Sequence, residues 1–246
     1  MKIRFLALAA VLLTVFVLMS GIALADDNPD FNGGSGTEND PYKIATPEQL
    51  QNIGKGEYLN LYFILEKDIS LTGKSWNPIG TKDDPFKGVF DGNGKTISGL
   101  EINEPEQDYI GLFGYAENAV FSNVILTDIS LTGRYCVGGL AGSVLGTGTF
   151  IDCSVSGTEG GAVKITAGYY AGGLAGSVYN GEFTNCFVSS SGDGAVTITS
   201  NRNCVGGLAG YVYNGEFTDC SASGTGAGAV TITANGDYAG GLAGYV

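Results

Sequence analysis

Gly138-Gly139-Leu140-Ala141-Gly142 returns unchanged at Gly172, Gly206 and Gly240, so the four copies are evenly spaced. A diverged forerunner, Gly111-Leu112-Phe113-Gly114, stands ahead of the first copy at a somewhat shorter step. A fixed period of this kind, here ~34 residues, marks stacked repeats, in which one unit buries its apolar face only against its neighbours. Between these pentapeptides, each repeat carries three short apolar stretches separated by Gly, Asn, Asp and Ser. In one repeat they are Gly172 to Val178, Glu182 to Val188 and Ala195 to Thr199. The third reads Ala-Val-Thr-Ile-Thr, apolar alternating with β-branched polar, as a half-buried strand does. It recurs at 162–166 (with Lys164 at its centre) and at 229–233. Three short strands per repeat predict one coil of a parallel β-helix, so the chain is read as all-β. No repeat holds a ten-residue amphipathic run, which excludes a helical solenoid of similar period. A propeller blade needs four strands and a longer unit.

Stacking predicts ladders. Leu112, Leu140, Leu174, Leu208 and Leu242 should form one inward ladder; Phe121, Phe150, Phe183 and Phe217 should form a second. Each buried member is worth ~1.5–3 kcal/mol on transfer from water. The structural repeat is completed by the glycines that flank each leucine. They are Gly111 and Gly114, Gly139 and Gly142, Gly173 and Gly176, Gly207 and Gly210, and Gly241 and Gly244. They are read as supplying tight corners and close approach between coils. Asn123, Asp152, Asn185 and Asp219 also align, with two readings: local capping and a side-chain ladder, or a column of carboxylates facing cations.

The five cysteines obey the same period. Cys153, Cys186 and Cys220 each follow a Phe by three positions; Cys136 and Cys204 each precede a Gly-Gly-Leu-Ala-Gly by two. Side chains on neighbouring rungs stand parallel and ~4.8 Å apart, a poor match to the geometry of a disulfide. The first three are therefore read as a buried, reduced ladder, and the other two as too distant to bridge. No cysteine pair has zinc-ligand spacing and the chain has no histidine, so no metal or cofactor is expected.

The N-terminal end reads differently. Lys2 and Arg4 precede an apolar run from Phe5 to Met19, and Ala23-Leu24-Ala25 offers small residues for cleavage. This is the layout of a secretory signal peptide over residues 1–25, with an uncleaved anchor helix as the alternative. No later stretch approaches ~18 apolar residues, so the mature chain is not expected to span a membrane. Residues 26–40 are polar and glycine-rich and predict a flexible linker. Residues 41–108 are read as an N-terminal cap with the first coils, and 109–246 as the repeats proper. Thr46-Pro47-Glu48-Gln49 predicts a short capping helix that ends at Gly54, with Leu50 and Ile53 on one face. Trp76 to Gly80 is read as a turn that drops an aromatic onto the end of the core. Asp91-Gly92-Asn93-Gly94 joins two short strands, by turn chemistry or by a calcium site.

Charge narrows the partners. The formal net charge of −13 becomes −15 once Lys2 and Arg4 are removed. Such a surface repels nucleic acid and anionic membrane.

Four identical pentapeptides, each complete repeat followed by Phe-Thr-Asn-Cys or its variants, resemble the GLUG-motif repeat. The block Gly-Ser-Gly-Thr (34–37), Asp40-Pro41-Tyr42-Lys43-Ile44, the Thr46 helix and Phe90-Asp91-Gly92-Asn93-Gly94-Lys95-Thr96-Ile97 is similar to the start of many such proteins. The resemblance covers about residues 33 to 246. It implies a right-handed parallel β-helix of the pectin-lyase-like kind, on exported prokaryotic surface or adhesin-like proteins, some bearing a separate catalytic domain. It carries over no catalytic residue.

Three functions follow as expectations. The first is a non-catalytic surface spacer or adhesion module, with Tyr169, Tyr170, Tyr179, Tyr211, Tyr213 and Tyr238 as an aromatic surface for glycan or protein. The second is a polysaccharide lyase or hydrolase, which would draw on Arg134, Lys164 and Arg202, the only basic residues after Gly133. No paired carboxylates accompany them outside the repeat rule. The third is the repeat part of a larger protein, because the last repeat stops at Val246 before its Phe strand and reads as truncated.

Overall fold

Asn and Asp set the corners. Asn123, Asp152, Asn185 and Asp219 all turn the backbone into the left-handed region, with φ between 53° and 54°. Short polar side chains tolerate that conformation where β-branched ones do not. In this computed structural model, residues 28–224 and 228–246 are described. The signal peptide expected over 1–25 lies outside the described residues.

The corners correct the expected strand count. One coil runs through β1 (Ala141–Leu145), β2 (Gly148–Ile151), β3 (Ser154–Gly157), β4 (Ala162–Ala167) and β5 (Tyr170–Gly172). It therefore has five strands where three were expected. The stretch 182–188 divides at Asn185, and 172–178 divides at its Gly-Leu pair. The breaks are marked only by Asn185 in one stretch and by Gly173-Leu174 in the other, and a single such residue does not show whether a strand bends there or runs on.

Strands pair in parallel with their counterparts in the neighbouring coils, and among the described residues five sheets of five to seven strands result. The register places like on like. Phe150 lies opposite Phe121 and Phe183; Val155 opposite Leu126 and Val188; Ile165 opposite Leu131 and Ile198. Because side chains alternate across a strand, those residues all point into the solenoid. The Phe150 and Phe183 rings stack 4.5 Å apart at 4°, and Phe183 and Phe217 at 4.7 Å and 8°. Leu112, Leu140, Leu174 and Leu208 are fully buried, while Phe217 and Leu242 are half-buried and pack against the core.

The repeat glycines answer to crowding. None of the glycines in the Gly-Gly-Leu-Ala-Gly copies sits in the left-handed region. A Cβ on Gly139 would come 2.5 Å from the carbonyl oxygen of Gly173, and one on Gly173 2.3 Å from that of Gly207. The same carbonyls accept the amide hydrogens of Gly139 and Gly173 at 2.8 and 2.9 Å. Coils touch backbone to backbone here, and only glycine fits.

The N-terminal end is closed by α1 (Pro47–Asn52). Thr46 Oγ1 accepts from Gln49 N at 3.2 Å, and Gln49 Oε1 accepts from Ala45 N at 2.8 Å, satisfying helix-end donors as a capping box does. Leu50 and Ile53 are fully buried beneath it. Trp76 is buried too, and its Nε1 donates to Leu112 O at 3.1 Å.

The flexible linker expected over 26–40 needs correction for residues 28–36, which are tied to the N-terminal cap, while residues 37–40 are exposed. Phe31 is buried against the rings of Tyr42, Tyr58 and Phe63, and Asp30 pairs with Lys55 at 2.6 Å. Asn32 N donates to Lys43 O at 2.8 Å. One phenylalanine in a polar segment supplies the anchor, and average composition conceals it.

Candidate functional site: a tyrosine face

Outward positions on the two sheets flanking the Gly-Leu corner stack into columns. On the β5 sheet, Tyr109, Cys136 and Tyr170 follow one another, and the pairing of Ala171 with Val205 carries the column on to Cys204. On the β1 sheet, Tyr115, Ser143, Ser177, Tyr211 and Tyr245 occupy successive rungs. Glu117, Leu145, Tyr179 and Tyr213 occupy the rungs two positions further along each strand.

Eight rings touch in sequence. Tyr169 meets Tyr135 at 4.8 Å, Tyr135 meets Tyr170 at 5.3 Å, and Tyr170 meets Tyr211 at 5.2 Å. From Tyr211 one branch leads through Tyr179 to Tyr213, at 5.9 and 6.0 Å. The other leads to Tyr245 at 5.2 Å, nearly parallel, and on to Tyr238 at 5.4 Å. Such contacts hold the rings in place at little further entropic cost. Tyr213 and Tyr238 remain 56% and 57% exposed, so the network presents ring surface to solvent.

All six tyrosines named from the sequence meet here. Tyr135 and Tyr245 were missed, although the signal was present: each stands one repeat away from a named one, Tyr169 and Tyr211.

Beneath the rings the small residues are buried. Ser143 and Ser177 Oγ atoms lie 3.3 Å apart, and both serines are buried. Burial pushes the Cys136 thiol up to about 12 and raises the phenols of Tyr109, Tyr115, Tyr170 and Tyr211. These thiol and phenol groups are uncharged at neutral pH.

The basic residues considered for catalysis are not brought together. Arg134 forms a 2.6 Å ion pair with Asp108, which lowers the carboxyl pKa. Arg202 lies 5.1 Å over the Tyr169 ring and donates to its hydroxyl at 2.8 Å. Lys164 projects from the exposed side of β4.

The polar column is tied by amides. Asn123 Nδ2 donates to Asp91 Oδ1 at 3.0 Å, and Asn185 Nδ2 donates to Asp152 Oδ1 one coil back. Asp91 also accepts from Asn93 N at 2.8 Å. Among the described residues no group of three or more His, Cys, Asp or Glu is placed to hold a metal. The cysteines are unbridged: Cys153, Cys186 and Cys220 each donate to the carbonyl of a Phe on the preceding coil, at 3.4 to 3.5 Å.

Comparison with known proteins adds names. The GLUG motif matches residues 133–158 and 201–225. Over 135 residues the chain is 34% identical to a Gly-rich membrane protein of Evansella cellulosilytica, a match that takes in 52% of this chain and 15% of that protein. Over 143 residues it is 36% identical to halomucin of Haloquadratum walsbyi, covering 54% of this chain and 2% of halomucin. The chain thus spans a small part of the curated relatives it matches. A crystal structure from Bacteroides ovatus, described as an immunoglobulin A1 protease, shares 18% identity over 87% of each chain at a TM-score of 0.47. Among the described residues, no helix is long and apolar enough to cross a membrane.

Proposed function

As this chain is a GLUG-repeat parallel β-helix protein, we propose that it is an exported, non-catalytic module that makes adhesive contacts at the cell surface. The observation that carries the reading is the tyrosine face: eight linked rings on a stiff, coil-stacked scaffold. Aromatic rings with a hydroxyl edge suit partners that are apolar on one side and wet on the other, such as a glycan or a protein surface. Rigid rings also lose little entropy on binding, which favours contact over a wide, shallow face. The relatives' names, a membrane protein and halomucin, support a place at the surface, as does the predicted signal peptide.

The test uses the chain's own alternatives. Serine already stands at rungs 143 and 177 of the column that holds Tyr211, so Tyr211→Ser leaves the scaffold intact. Retention of wild type and of Tyr211→Ser/Tyr238→Ser would be measured on immobilised surface glycans and surface proteins. The reading expects retention that drops at least tenfold in the variant. Equal retention by both chains would overturn it.

A further inference from the structure

The tetrapeptide Tyr-Asn-Gly-Glu occurs twice, at 179–182 and 213–216, one coil apart. The two copies stack in register: Tyr179 on Tyr213 and Glu182 on Glu216. Asn180 and Asn214 turn the corner between these strands at φ 52° and 56°, and Asn214 Nδ2 donates to Asn180 Oδ1 at 2.9 Å. An open groove of about 430 Å³ runs across three coils at this corner, lined by Thr147, Asn180, Glu182, Asn214 and Glu216 with two glycines. The Tyr179 and Tyr213 rings, 6.0 Å apart, stand on the strands that lead into it.

Two things about this corner are unusual. Like charges on neighbouring rungs destabilise a sheet, yet Glu182 and Glu216 lie directly opposite. No ion pair among the described residues relieves them; the five that exist use other carboxylates. The preceding coil solves the same position without charge, with Thr149 opposite Glu182. It has Gly146 at the corner and Leu145 in place of the tyrosine. The coil before that has Asn118 at the corner, with Glu117 at the tyrosine rung and Val120 at the glutamate rung, so tyrosine and the second glutamate change together while the corner asparagine recurs without them.

We propose that this corner is a saccharide subsite for a neutral glycan lying along the solenoid axis. The inference rests on the adhesive reading above and names the ligand class for one part of that face. A sugar ring offers an apolar C–H face, which the tyrosine pair receives, and a rim of hydroxyls. Those hydroxyls donate to the Glu182 and Glu216 carboxylates and exchange hydrogen bonds with the Asn180, Asn214 and Thr147 side chains. Hydrogen bonds to charged acceptors are the stronger kind, which gives the carboxylates their use. The same two charges, on a chain of net charge −13, exclude acidic sugars.

The experiment is titration of the purified chain with neutral tetrasaccharides of glucose, mannose and N-acetylglucosamine, beside a tetramer of galacturonate. At least one neutral tetramer should bind, with an affinity that moderate salt leaves unchanged, while galacturonate should not. Glu182→Thr/Glu216→Thr copies the residue of the preceding coil and should weaken binding about tenfold or more. Tyr179→Leu/Tyr213→Leu should do the same. Glu182→Gln/Glu216→Gln removes the charge and keeps acceptors, so galacturonate should gain affinity; a merely structural role for the pair predicts no such gain. Failure of every neutral tetramer to bind overturns the proposal. So does binding that the groove variants leave intact. If Tyr211→Ser/Tyr238→Ser alone abolishes binding, the adhesive face stands and this subsite falls.

Discussion

At the scale of single residues, backbone crowding decides which positions tolerate a methyl group. On Gly173 a Cβ would meet the Gly207 carbonyl oxygen at 2.3 Å and Val188 Cγ2 at 2.4 Å; on Gly56 it would meet nothing within 4 Å. Gly173→Ala should cost ~2–3 kcal/mol, because neither neighbour can move without disturbing a coil. Gly56→Ala should stay within about 0.5 kcal/mol of wild type. Urea unfolding of the two variants measures both. Phe150→Ala removes a fully buried ring stacked on both sides and should cost ~3–5 kcal/mol in the same assay. The glycines were legible in the sequence as sites of close approach. Their partners were not, since those depend on the carbonyl of the next coil.

Among elements, the thiol columns give the fold a pH signature. A buried thiol resists ionisation, and desolvation raises Cys136 to about 12 and lifts Cys204 and Cys220 as well. In the unfolded chain the same thiols ionise at about 8.5. Above that value the unfolded state has lost protons that the folded state keeps, so stability falls with rising pH. The loss should begin at pH ~8.5 and continue towards 12, with Cys136→Ala flattening part of the slope. Chemical denaturation between pH 7 and 11 checks this. Thiol reagents at pH 7 should reach Cys220 first, because it is half-buried while the other four are buried. Mass-resolved labelling would report the order.

The ladders of strands were readable because an even repeat spacing aligns like with like; Phe121, Phe150 and Phe183 needed no coordinates. The five-strand coil was not. Its corners at Asn123, Asp152 and Asn185 depend on left-handed backbone, and a lone Asn or Asp inside a short stretch does not show whether the strand bends there or runs on. The tyrosine face was half legible. Tyr179 and Tyr213 fall on the period, but the contact of Tyr170 with Tyr211 crosses from one sheet to the next and has no period to betray it.

For the whole molecule, one architecture sets both the core and the pattern of the surface. Stacked coils bury Leu and Phe inward and line up outward residues on parallel rungs, so any side chain repeated in sequence becomes a stripe in space. Tyrosine repeated in this way becomes an aromatic face, and in the adhesive role proposed above such a face would gain strength from adjoining copies more than from any single ring. Fold alone does not bring catalysis with it, and Arg134 and Arg202 are each committed to their own partner. The most direct test scores retention and chain cleavage together, with the purified chain on a panel of neutral and acidic polysaccharides. Retention on neutral polymers without cleavage is the predicted result. Cleavage that survives repurification would contradict the account.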